Sequence, residues 1–363
     1  MVGFAPTAEQ EAIRDLAHEV AIEQLRPLAR VAEAEGGIPA TLLQVLDETG
    51  LAAPFPEGPG GSGILDAVTL ALVTEELGFG DGGLAVAVVG RWLGQLALSL
   101  VGTVEQRQMH LAYRDTAMPI AVALAEEAGG LDPSTVSTTA RAVGPAYALD
   151  GAKYAVLHGT TARQHIVLAN LAPELGPAGL RLFLVPADAQ GLVAVADERP
   201  LGLRAAPMAR LQLSGVRVPA DARLGHGGDS ATATLRLLSL YVILLSGVAV
   251  GISRAALEYS VSYAQTRIQF GRPIAAFQGV AFLGADMAMN LDAAQLMLWR
   301  AAAAWDNGDS GWALARAAYR KAHAVATQVT ADAIQILGGA GFMEDHPLEL
   351  WMRDAAALAA LGE

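Results

Sequence analysis

The chain of 363 residues contains no cysteine. This excludes disulfides, Cys-ligated zinc or iron-sulfur centres and a thiol nucleophile, and it leaves the redox compartment unread. Charged residues are few, at 17%, and aromatic residues fewer, at 6%, so the 53% hydrophobic share comes from Ala, Leu and Val. Such a composition suits helix interiors and subunit interfaces. No Lys/Arg block is present and the net charge is -13, which argues against a nucleic-acid partner. Met1 to Glu11 shows no basic segment followed by an apolar core, so no signal peptide is read and a cytoplasmic location is expected. The seven histidines form no HExxH pair or close cluster. No metal site is therefore expected, and His158 and His165 are expected in surface or loop roles. A G-x-S-x-G elbow is also missing, which leaves hydrolase chemistry without support.

What is present falls into three patterns. Residues 1–118 read as helices: Thr7 and Gln10 form a capping pair, and apolar residues recur at helical spacing through Ile13, Leu16, Val20, Ile22 and Leu25. Pro27 is expected to interrupt or end that helix. Further helices are predicted at Ala40–Glu48, at Leu65–Leu77 with a stop at Gly78, and from Leu84 to Tyr113. Over residues 119–228 the period changes to two, and short turn-linked strands predict an antiparallel barrel or sandwich. Residues 229–363 return to helices, Ser230–Thr266, Phe277–Asn307, Ser310–Leu337 and Leu348–Leu361, which predict a four-helix bundle. The uncharged run Leu237–Ser253 is at the short limit for a membrane span and is diluted by Ser239, Tyr241, Ser246, Gly247 and Gly251, so a buried bundle helix is expected.

Gly58-Pro-Gly60-Gly-Ser-Gly63 matches GxGxxG in letters alone. The strand that should precede it contains Pro54 and Pro56, and no βαβ unit follows, so a tight loop between helices is the better reading. Two later strings carry more. Arg267-Ile-Gln-Phe-Gly-Arg-Pro-Ile-Ala-Ala-Phe-Gln278 combines an Arg able to bind phosphate in a bidentate way with an aromatic able to cover an adenine or ribose face. Gln335-Ile-Leu-Gly-Gly-Ala-Gly-Phe342 places small residues where a backbone could approach a large ligand, although a glycine-rich helix cap would look the same.

Together with Arg353-Asp354-Ala355, these strings resemble the C-terminal domain of acyl-CoA dehydrogenases. The first matches the family's Arg-x-x-Phe-Gly-(Arg/Lys)-Pro-Ile-x-x-Phe-Gln signature. The resemblance runs through nearly the whole chain in domain order and includes Gly50-Leu51 and Glu75 to Gly78. It implies an α+β multidomain fold: an N-terminal helical domain, a middle β-barrel or sandwich and a C-terminal four-helix bundle, assembled as a homo- or hetero-oligomer. It also implies FAD, an acyl-CoA substrate and an electron-transfer flavoprotein as acceptor. Arg267, Gln269, Phe270, Gln278, Gln335, Gly338 and Gly339 are the residues it marks as cofactor contacts, directed at the ADP half of a neighbouring subunit's FAD.

The middle domain departs from the family pattern. Where the family has Thr-Glu-Pro-x-Ala-Gly-Ser-Asp, this chain has Ala125 to Asp132, with Ala125 and Leu131 replacing hydroxyl donors. In the segment from Asp150 to Gly159, Ala155 stands for the Trp that packs on the flavin ring and Leu157 for the Thr that bonds its edge. A polar ring edge buried without donors costs about 1 to 3 kcal/mol per group. The family's catalytic Glu follows the Arg-Asp-Ala segment; counting from Arg353 reaches Gly362, with Glu363 next. An alternative base position, on the helix before the Phe-Gly motif, holds Tyr241, which is almost wholly un-ionised at neutral pH. Three readings stay open at this point: a subunit of a heteromeric dehydrogenase that lends ADP-side contacts to a sister chain, a homotetramer with Glu363 as base, and a scaffold or acyl-CoA-binding paralogue without flavin.

Overall fold

The computed structural model describes residues 5–53, 66–111, 119–196, 200–225, 230–309 and 311–362. The GxGxxG-like segment Gly58 to Gly63 and the expected base Glu363 lie outside the described residues. Helix α1 (Ala8–Val20) starts as predicted: the Gln10 N–H donates to the Thr7 hydroxyl at 3.2 Å, and the Thr7 N–H donates to the Gln10 carboxamide at 2.9 Å. Pro27 does not end the run. A π-helical segment, Ala21–Leu25, precedes α2 (Arg26–Glu35), so Pro27 sits in a first turn, where a missing N–H is tolerated. Helices α3 (Ala40–Glu48), α4 (Ala67–Gly80), α5 (Gly82–Val101) and α6 (Val104–Leu111) follow. Helix α4 passes through Gly78, its predicted stop. A Cβ there would stand 2.5 Å from the Val248 carbonyl oxygen, so this glycine serves close packing and not termination.

The partner in that contact is α7 (Ser230–Thr266). Its buried serines are satisfied within the helix: Ser239, Ser246 and Ser253 donate to the carbonyls of Leu235, Val242 and Ala249 at 2.8, 2.6 and 2.8 Å. Gly247 and Gly251 bring α4 in close, since a Cβ at either would meet Thr74 Oγ1 or the Glu75 carbonyl oxygen at 2.1 Å. Among the described residues α5 and α7 are long and apolar enough to cross a membrane, but their apolar windows are 78% and 89% buried inside the protein. They are core helices. An ion-pair cluster ties the same helices together, with Arg254 of α7 bonding Glu75 at 3.1 Å and Glu76 at 3.0 Å, and His18 of α1 reaching Glu76 at 2.8 Å.

The middle region is one curled sheet of β1 (Ile120–Ala123), β2 (Thr139–Val143), β3 (Ala146–Leu157), β4 (Gln164–Asn170), β5 (Leu180–Pro186), β6 (Leu192–Ala196) and β7 (Met208–Pro219). The order is β1-β4-β2-β3-β7-β6, with β5 paired to β4. It is not wholly antiparallel as the sequence suggested: β1 and β2 run parallel to β4. Alternation sorts its side chains. Ala121, Ala123, Val167 and Phe183 fill the sheet's own core, while Val122, Leu124, Ile166 and Leu168 join the helical core. Gly90 and Gly94 seat the sheet directly on α5, where Cβ atoms would approach Leu157 Cβ to 2.8 Å and the Ile120 carbonyl oxygen to 2.5 Å.

The C-terminal bundle consists of α7, α8 (Gln278–Asp306), α9 (Trp312–Leu337) and α10 (Leu348–Ala357). The last predicted helix breaks at Leu358 and resumes as the short α11 (Ala359–Gly362). The outer face of α8 leaves Phe282, Met289 and Leu296 exposed at seven-residue intervals.

Candidate cofactor and active site

The Arg267 to Gln278 string forms a hairpin between α7 and α8. Its strands are β8 (Ile268–Gln269) and β9 (Arg272–Pro273), and the Ile274 N–H donates to the Arg267 carbonyl at 2.9 Å to close it. Phe270 and Gly271 make the turn with φ of 51° and 79°. A bulky residue in the left-handed region is strained, and here it leaves the Phe270 ring 92% exposed. Phe277 steadies it, meeting Phe270 edge-on at 6.2 Å and carrying the Arg272 guanidinium 4.2 Å from its own ring centre. Arg267, Gln269 and Gln278 are exposed around this turn. Among the described residues Arg267 has no carboxylate partner, so its guanidinium is available to an anion.

Gln335 and Gly339 are exposed and Gly338 is half-buried at the end of α9, where they form a second group. Gly338 ends the helix with φ of 60°, and a Cβ at Gly338 or Gly339 would meet nothing within 4 Å. No hydrogen bond or ring contact joins this group to the hairpin among the described residues. Arg272 was passed over as a site residue on the sequence, though it occupies the Arg/Lys position of the motif and stacks on Phe277.

The ring side is different. Ala125, Leu131, Ala155 and Leu157 are 6%, 3%, 7% and 2% exposed and belong to one continuous apolar core. Ala155 lies at a bulge in β3, with φ of 49°, and the Tyr154 N–H donates to the Ala125 carbonyl at 3.0 Å. Leu157 is pressed against Gly90 of α5. Beneath them Lys153, its side chain fully buried, donates to Glu126 at 2.8 Å; Glu126 also accepts from Ser137 N–H at 2.8 Å and Thr138 N–H at 3.0 Å. Burial alone would raise the Glu126 carboxyl, but the Lys153 ammonium and these donors outweigh it and hold the group at about 2.

Of the positions weighed for the base, the two that are described, Gly362 and Tyr241, carry no carboxylate. Gly362 is buried against Tyr319: a Cβ would stand 2.2 Å from both Cε1 and Cζ of that ring. Tyr319 is itself fully buried and donates its hydroxyl to the Leu358 carbonyl. Tyr241 is buried too, and burial pushes its hydroxyl above the ordinary tyrosine range, further from a usable base. The histidines correct the expectation of surface roles. His158 and His165 are 5% and 1% exposed, each with a ring nitrogen 2.8 Å from a backbone carbonyl, of Ala87 and Gly159 respectively.

FAD can be tested against these residues half by half. The exposed, unpaired Arg267, the presented Phe270 and the open glycines suit an adenosine diphosphate. The ring half does not fit, because the side chains that should face a flavin edge are apolar and already packed.

Family models for the acyl-CoA dehydrogenase N-terminal, middle and C-terminal domains match residues 7–113, 121–216 and 228–362. The chain is 33% identical to an acyl-CoA dehydrogenase of Bacillus subtilis, over 96% of this chain and 93% of that protein. Its fold matches butyryl-CoA dehydrogenase from Megasphaera elsdenii with a TM-score of 0.87 at 28% identity, covering 99% of this chain and 95% of the other. The FAD complex of PigA matches with a TM-score of 0.89 at 25% identity, over 99% and 95%.

Proposed function

The chain belongs to the acyl-CoA dehydrogenase family, and from that premise we propose that it is the subunit of a heteromeric, FAD-dependent acyl-CoA dehydrogenase that completes the cofactor site of a sister chain. The sister chain supplies the ring pocket and the carboxylate that takes the substrate's α-proton. This chain lends Arg267 to the pyrophosphate, Phe270 to the adenosine, and Gln269, Gln278, Gln335, Gly338 and Gly339 to the surrounding contacts. The reaction is the α,β-desaturation of an acyl-CoA thioester, in the cytoplasm, with an electron-transfer flavoprotein as acceptor. The stripe Phe282, Met289 and Leu296 on α8 is the apolar surface available to such a sister chain.

One observation carries the reading: the ADP-side residues are exposed while the ring-side positions are apolar and sealed in the core. The test is the flavin content of the chain purified alone and purified with a co-expressed sister chain. Colourless protein alone and yellow, active complex is the expected result. A yellow protein that oxidises an acyl-CoA by itself would overturn the proposal.

A further inference from the structure

The two groups assigned to the adenosine diphosphate lie at one end of the bundle. The hairpin follows α7 and the glycine turn follows α9, and since α8 runs back between them, both helices end on the same side. Neither group touches the other, and the link between them is His346. The chain leaves α9 through Gly338, turns with the Met343 N–H donating to the Ala340 carbonyl at 3.1 Å, and turns again with the His346 N–H donating to the Met343 carbonyl at 3.0 Å. Gly341 lets this segment lie against α9, because a Cβ there would stand 2.7 Å from the Ile334 carbonyl oxygen.

His346 is held by its N–H, its carbonyl and its ring. The carbonyl accepts from Arg30 Nη2 of α2 at 3.4 Å, and the same nitrogen donates to the Glu344 carbonyl at 3.2 Å. The ring places Nδ1 2.7 Å from the Tyr259 hydroxyl, in a hydrogen bond, and meets Tyr259 and Tyr263 edge-on at 5.9 Å each. These two tyrosines stand one turn apart on α7, four residues being the spacing of neighbours on a helix face. Trp351 of α10 backs Tyr259 edge-on at 6.0 Å. The Tyr263 carbonyl accepts from the Arg267 N–H at 2.8 Å, the bond from which the hairpin departs. The path from the glycine turn to Arg267 therefore runs through one side chain and its bond to Tyr259.

We propose that His346 is a positioning residue that sets the spacing between the Phe270 hairpin and the glycine turn, so that both meet one adenosine diphosphate at once. It acts through those two groups and contacts no ligand itself. A ligand gripped by two segments is held tightly when they already stand at the right separation; otherwise part of the contact energy is spent on drawing them together. Buried α7 supplies the fixed side through Tyr259, and Arg30 holds the backbone of the turn from the other side. The inference rests on the flavin reading for its ligand and on geometry alone for the link.

The FAD affinity of whichever assembly holds flavin tests it, with ADP as a competing probe of that half alone. Tyr259→Phe removes one oxygen and keeps the ring, and it should weaken FAD and ADP by the same factor, about two- to tenfold. His346→Phe should do likewise, and the double variant should be no weaker than either single one, because both changes break the same bond. His346→Asn, whose amide can stand where Nδ1 stands and can donate or accept, should restore most of the affinity. If His346→Phe does not fold, Tyr259→Phe and His346→Asn decide the matter. Unchanged affinity in Tyr259→Phe, additive losses in the double variant, a loss confined to FAD, or no rescue by asparagine overturns the inference. The wild type reports separately on the flavin reading: a chain that is yellow alone removes the sister chain and leaves the same ratios to be measured, whereas a wild type that takes up no FAD in any assembly refutes both.

Discussion

The packing of Gly362 on Tyr319 predicts that position 362 cannot accept any side chain. In Gly362→Ala the new methyl would begin 2.2 Å from Tyr319 Cε1 and Cζ. Carbon atoms prefer about 3.5–4.0 Å, so the ring or the tail must yield by well over an ångström. Tyr319 is fully buried and its hydroxyl is bonded to the Leu358 carbonyl, so moving the ring sacrifices that bond, worth about 0.5–1.5 kcal/mol. Moving α11 instead exposes Leu361, now 2% accessible, at a cost of about 1.5–3 kcal/mol. Either route puts the destabilisation at about 1–3 kcal/mol. Denaturant unfolding of the variant measures it, and the control is the same substitution in a Tyr319→Leu background, where the obstructing ring atoms are gone and most of the cost should vanish. If Gly362→Ala is neutral, or costs as much with Tyr319→Leu as without it, the steric argument is refuted. Gly362→Glu, which adds a carboxylate to the same conflict, should be costlier still and should not make the chain purified alone oxidise an acyl-CoA.

Two further outcomes follow from the site. Glu126→Gln leaves the Lys153 ammonium buried without its counter-charge and should cost about 3–5 kcal/mol by urea unfolding at neutral pH; a loss under about 1 kcal/mol refutes the pairing. Because the Glu126 carboxyl is held at about 2, below its unfolded value, its contribution in wild type is present above about pH 4.5 and is lost as pH falls toward 2, a loss that Glu126→Gln should not show. Phe270→Gly removes the left-handed strain of an exposed residue and should raise the stability of the isolated chain by about 1 kcal/mol, while the complex retains less flavin. Lower stability together with unchanged flavin retention would count against the assigned role.

The parts of the molecule that the sequence makes readable are those encoded locally. The Thr7–Gln10 cap and the change of period near residue 119 depend on neighbours a few residues apart. The replacement of ring-side polar groups by Ala125, Leu131, Ala155 and Leu157 is equally plain in the letters, but their burial is not, since it depends on Gly90 of α5 drawing the sheet in. Histidines 158 and 165 looked like surface residues because nothing nearby in sequence announces the carbonyls that receive them; Ala87 lies 71 positions from His158. The Asp354 contact with Gly83 spans 271 positions. The parallel pairing of β1 with β4 and the π-helical step before Pro27 are likewise tertiary outcomes that no local pattern records.

The hairpin has a kinetic consequence. Phe270 and Gly271 already hold their turn, and Phe277 with Arg272 braces it, so the aromatic is presented before any partner arrives. A preset element gives up little conformational freedom on docking. Association through this face should thus proceed at the about 10⁵–10⁷ per molar per second of rigid protein pairs, without a slow loop-folding phase. The exposed Arg267 and Arg272 should make that rate fall with added salt, as expected of cations steering toward a partner's phosphates.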